Sequence, residues 1–121
     1  MRRKLNEEII SACVEILRTV RRHPYGNHER PFITAYQIWF LLKEQRNQIC
    51  QDIEKEYGTA LGAHAGENKG PAQGIAKALG LTKNKNIETR YLDTRRAIFR
   101  NNIFGDIKPS GQDCGLFRLR D

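Results

Sequence analysis

Asn86-Ile87-Glu88-Thr89-Arg90-Tyr91-Leu92-Asp93-Thr94, NIETRYLDT in one-letter code, decides how this chain folds, because it reads in two ways. As a strand, Ile87, Thr89 and Tyr91 alternate with Glu88 and Arg90, and these three suit a pleated, half-buried surface. As a helix running to Arg100, it gathers Ile87, Tyr91, Leu92, Ile98 and Phe99, but Arg95 then falls in the middle of the apolar face. The strand is the preferred reading. Under the helix reading, Arg90, Arg96 and Arg100 lie on its polar side.

Working downstream, Ile103, Phe104 and Ile107 precede the turn-rich run Lys108-Pro109-Ser110-Gly111-Gln112-Asp113, and Cys114 to Leu119 then ends in alternation. This predicts a hairpin between the two apolar segments, with Phe117 and Leu119 inward and Arg118 and Arg120 outward. The C-terminal third is therefore a small antiparallel sheet.

Upstream stands GPAQGIAKALG, residues 70–80. Pro71 suits the first helical position and Gly80 the residue just past the end. Ala72, Ile75, Ala76 and Leu79 form one apolar face, leaving Gln73, Gly74 and Lys77 opposite. Gly74 either allows close backbone approach to a ligand or packs against a neighbour. The glycine-rich run from Thr59 to Gly70 reads as loop. Before it, Ile49, Cys50, Ile53 and Tyr57 mark an amphipathic helix, or a bent continuation of the preceding one, ending at Gly58. Thr34-Ala35-Tyr36-Gln37 has the capping-box pattern and opens a core helix containing Tyr36, Ile38, Trp39, Leu41 and Leu42. At the N-terminus, Asn6 with Glu7 and Glu8 reads as a cap and first turn. Ile9, Cys13, Ile16, Leu17 and Val20 recur behind it, Arg18, Arg21 and Arg22 favour its C-terminal dipole, and His23 to Asn27 ends it.

With 121 residues the chain suits one domain, residues 1–33 as an N-terminal helix and loop and 34–121 as the core. The fold class is α+β, mostly helical with a small C-terminal sheet. Ile75-Ala76-Lys77-Ala78-Leu79-Gly80 resembles helix endings of the winged helix-turn-helix superfamily, and the order of helices then sheet from Thr34 to Arg120 is similar to it. The resemblance implies a DNA-binding protein that is not an enzyme, with Pro71 to Leu79 entering the major groove and the hairpin from Ile87 to Leu119 as the wing. It implies nucleic-acid contacts from Gln73 and Lys77 with the flanking Lys69, Lys83 and Lys85, or, if Ile87 to Arg100 is helical, from Arg90, Arg96 and Arg100 on a helix that takes the recognition role instead.

Charge agrees in sign. The net charge is +7, and the excess sits at the two ends: seven basic against four acidic groups in residues 1–33, nine against five in 81–121, and five against five between. This permits phosphate, an anionic surface or an acidic protein as partner. Cys13, Cys50 and Cys114 are widely separated and lack C-x-x-C spacing, which predicts reduced thiols and a cytoplasmic protein. No signal-peptide pattern follows Met1, and the longest apolar run, Ile38 to Leu42, is too short to span a bilayer.

Catalytic patterns are weak. Gly62 to Gly70 superficially suggests a phosphate loop, but glycine, not Ser or Thr, follows Lys69. His64 and Glu67 read as exposed, His23, His28 and Glu29 lack a fourth ligand, and Asp52, Glu54 and Lys55 read as a solvated face. No cofactor, metal or small-molecule ligand is expected. Double-stranded DNA is the expected partner, and the N-terminal helix is expected to pack either on the core or across the two-fold axis of a homodimer, the dimer being preferred; the alternative function is a protein-interaction module using Trp39, Tyr57 or that helix.

Overall fold

The computed structural model describes residues 2–20, 30–62, 70–82, 84–94, 98–101, 105–109 and 113–120, which form four helices and a small antiparallel C-terminal sheet, an α+β fold. The elements are α1 (Arg2–Thr19), β1 (Ile33–Thr34), α2 (Ala35–Glu44), α3 (Ile49–Tyr57), α4 (Pro71–Leu81), β2 (Ile87–Asp93), β3 (Phe99–Asn101), β4 (Gly105–Ile107) and β5 (Asp113–Leu119).

NIETRYLDT is strand. β2 runs antiparallel to β5 with Ile87 opposite Leu119 and Asp93 opposite Asp113, and β1 lies on the other side of β5, giving the order β1-β5-β2. Alternation prevails because Ile87 and Thr89 share the inward face with Leu119 and Phe117, an apolar surface against the helices. The helical alternative, with Arg90, Arg96 and Arg100 along one face, is thereby excluded. The expected hairpin partner of β5 is also corrected: Gly105–Ile107 pairs with β3, not with β5. Two seven-residue strands make the longer ladder, so β5 takes β2. Ile103 and Phe104 lie outside the described residues.

Thr34 and Gln37 form the capping box that their spacing predicts: the Gln37 N–H donates to Thr34 Oγ1 at 3.1 Å, and the Thr34 N–H donates to Gln37 Oε1 at 2.7 Å. Ala35, Tyr36, Ile38, Trp39, Phe40 and Leu42 are then buried on more than one side of α2. α3 is a separate helix. Asn47 Oδ1 accepts from the Ile49 N–H at 3.0 Å and starts it, and Lys43 Nζ reaches Glu54 Oε1 at 3.2 Å while lying over the Trp39 ring.

α1 begins at Arg2, so Asn6 lies within the helix and is not its cap. The turn before Asn6 is kept because Leu5 packs against the core. Ile9, Cys13, Ile16 and Leu17 are fully buried, with α2, α4 and β5 among the elements that α1 touches. Ile9, Cys13, Ile16 and Leu17 thus pack within the chain, on the core. Arg30 closes the helix end, its Nη1 donating to the carbonyls of Leu17, Arg18 and Val20 at 3.2, 3.0 and 3.4 Å. Arg21 and Arg22 lie outside the described residues. All three cysteines are buried free thiols, and burial, with Cys50 beside it, pushes the Cys13 thiol up to about 12.

α4 starts at Pro71 as predicted but ends one residue beyond Gly80, at Leu81, where Thr82 turns extended (φ −67°, ψ 145°). Gly74, read with the polar side, is buried: a Cβ there would collide with the Tyr57 ring, so the glycine lets α3 and α4 approach. Among the described residues no helix is long and apolar enough to cross a membrane.

Candidate nucleic-acid interface

α1, α2 and α3 all pack on α4 and bury Pro71, Ala72, Gly74, Ile75, Ala78 and Leu79. What reaches the surface is one strip, Gln73, Ala76, Lys77, Gly80 and Leu81, at the spacing of a single helix face. Lys77 is exposed. Gln73, one turn earlier, is half-buried and already holds a polar contact within the chain.

The connection to β2 is pinned by short-range bonds. The Asn84 N–H donates to Thr82 Oγ1 at 3.2 Å, the Asn86 N–H to Asn84 Oδ1 at 2.9 Å, and the Ile87 N–H to the Asn84 carbonyl at 3.2 Å. Asn and Thr side chains that bind the backbone two residues on fix such turns. Lys85 is therefore presented, exposed, on an ordered turn between α4 and the sheet.

The outer face of the sheet carries a second set of charges. Arg118 sits opposite Glu88 in the ladder, its Nη2 donating to both carboxylate oxygens at 3.1 and 3.0 Å and its Nε to Oε1 at 3.2 Å. Its Nη1 donates to the Arg30 carbonyl at 3.2 Å, and its guanidinium lies 4.2 Å from the Phe32 ring centre. Arg90 Nη2 reaches the same carboxylate at 3.1 Å. Planar bidentate pairing and cation–π contact are both arginine interactions, so Arg118, expected to face out, is held inside the protein's own network. Arg90 keeps an exposed side chain but shares its charge with Glu88.

No match to this chain is found among protein-family profiles, curated proteins or solved structures. The site rests on its own geometry. Of the residues expected to touch nucleic acid, Lys77, Lys85, Arg90 and Arg100 are exposed, and Gln73 is half-buried. Arg100 stands on the separate β3–β4 pair, 3.9 Å from Asp106 opposite it. Lys69, Lys83 and Arg96 lie outside the described residues, as do His23, His28, Glu29, His64 and Glu67. Among the described residues no group of three or more His, Cys, Asp or Glu is arranged to hold a metal ion. Asp52 and Lys55 are exposed and Glu54 pairs with Lys43. Trp39, an expected partner surface, is buried.

Sequence reasoning missed Phe32, Glu88 and Arg118 as a unit. Their one visible signal was parity: Glu88 and Arg118 each alternate with inward apolar residues, but only the register sets them opposite one another.

The network has a measurable consequence. Hydrogen bonding from Arg118, reinforced by its charge and those of Arg120 and Arg90, outweighs desolvation and holds the Glu88 carboxyl below the ordinary glutamate range. A carboxyl depressed in the folded state stabilises the fold above its unfolded value and loses that contribution as pH falls through the folded value. Urea unfolding followed from neutral pH downward should show stability falling below about pH 4.3. In Glu88→Gln this part of the pH dependence should vanish and neutral-pH stability should be lower; an unchanged acid profile would contradict the pairing.

Proposed function

We propose that the protein binds duplex DNA without catalysing a reaction, as a small regulator or accessory factor of winged-helix type. The observation that carries this reading is the strand order β1-β5-β2, in which the two-residue strand before α2 pairs with the hairpin that follows α4. In winged helices this hairpin is the wing and the helix before it lies in the major groove. On this reading the exposed strip of α4 faces the duplex, Lys77 meets a phosphate, and Lys85 and Arg90 continue the contact along the turn and the wing. The strip offers few groups for base edges, so affinity rests on phosphates and is strongly salt-dependent.

If roughly four to six phosphates are neutralised, log K against log salt should have a slope of about −4 to −5. Lys77→Ala should weaken binding to all sequences alike and reduce the slope by about 1. Fluorescence anisotropy with a labelled duplex at low salt measures both. Absence of binding to any duplex there overturns the reading and favours a protein-interaction module, for which Leu81, Tyr91 and Ile98, 66%, 72% and 59% exposed, are among the exposed apolar groups.

A further inference from the structure

We propose that the outer edge of β2 pairs with β2 of a second copy of this chain, antiparallel about a two-fold axis at Thr89, joining two three-stranded sheets into one.

β2 ends the sheet, and among the described residues no strand pairs with its outer side. The direction of its main-chain groups follows from the ladder. The Arg120 N–H donates to the Asn86 carbonyl at 2.7 Å, and these residues continue the register that sets Ile87 opposite Leu119. Hydrogen-bonded pairs alternate in an antiparallel ladder, so Glu88, Arg90 and Leu92 bond toward β5, while Ile87, Thr89 and Tyr91 direct their amides and carbonyls outward. The Ile87 N–H is taken by the Asn84 carbonyl, which leaves the amides of Thr89 and Tyr91 facing out. The Thr89 carbonyl receives Arg90's own Nη1 at 2.8 Å, a side chain standing where a neighbouring strand would donate. Seven residues long and without proline, this edge is open to pairing.

The second copy is selected by charge. With the axis at Thr89, each Glu88 opposes the other copy's Arg90, and each Ile87 opposes the other copy's Tyr91. Shifting the axis by one residue either way brings Glu88 against Glu88 or Arg90 against Arg90 in the closely spaced pairs, where like charges destabilise. The Thr89 axis also places Tyr91, 72% exposed, beside a β-branched residue, a favourable cross-strand combination. Each Glu88 then lies between its own Arg118 and the second copy's Arg90.

Sedimentation velocity of the full chain between about 10 μM and 1 mM tests the pairing. A concentration-dependent dimer is expected. Thr89→Pro removes an outward N–H and no bond to β5, a position where proline is tolerated, so it should keep the far-ultraviolet circular dichroism and sediment as a monomer. Arg90→Glu should raise the dimer dissociation constant about tenfold or more by reversing two symmetric charge pairs. Lys77→Ala, on α4, should leave it unchanged. A monomeric mass throughout the range, or a dimer that Arg90→Glu does not weaken, overturns the proposal; the second variant decides the question should Thr89→Pro fail to fold.

Discussion

Ile75→Ala lowers the free energy of unfolding by about 2–5 kcal/mol, the range for truncating a buried isoleucine to alanine. Ile75 is fully buried in α4, the helix on which α1, α2 and α3 all pack. Walls built from several helices cannot all move into the space that three missing carbons leave, so much of the cavity persists and its cost adds to the lost transfer energy. Urea denaturation with a two-state fit measures the change. Lys77→Ala, two residues along but on the exposed strip, should stay within about 0.5 kcal/mol. A similar small loss for both variants would mean that α4 is peripheral to the core.

Gly62→Ala destabilises by about 2–5 kcal/mol through two separable costs, left-handed backbone and overpacking. Gly62 has φ +66°, and a Cβ there would fall on the carbonyl oxygen of Lys108 and within 2.9 Å of Ile107 Cγ2. A backbone carbonyl cannot rotate aside as a side-chain tip can. Ile107 is itself buried, so the end of β4 would have to separate from the loop that follows α3. Gly105→Ala supplies the comparison, since Gly105 has φ +75° but its Cβ would meet nothing within 4 Å. Thermal and urea unfolding of both variants should therefore show Gly62→Ala as the costlier by about 1–3 kcal/mol. Equal losses would show that only the backbone conformation matters and that the contact with Lys108 gives way freely.

The exposed residues of the proposed interface follow from how α4 is covered. A reading of its apolar stripe alone leaves Gly74 on the outside with Gln73 and Lys77. The structure turns Gly74 inward because Tyr57, 17 positions earlier in the chain, lays its ring there. Gln73 and Lys77 were legible as the outward pair from their spacing relative to Ile75 and Leu79. Arg118 was legible as a residue of the outer sheet face, but not as one already bound.

What the sequence alone determined are features whose partners lie within a turn or a few residues: the capping box of Thr34 and Gln37, Pro71 at the head of α4, and the strand alternation of NIETRYLDT. Each depends on groups that the local backbone brings together whatever the rest of the chain does. The tertiary structure decided which strand β5 joins, which glycine lies against a neighbouring ring, and which arginine is paired with a carboxylate. Glu88 and Arg118 are 30 residues apart, and Arg118 reaches the carbonyl of Arg30 across 88. Such contacts form only after β1, β5 and β2 align, because a ladder's register sets every cross-strand pair at once and a shift of one residue would carry each side chain to the opposite face.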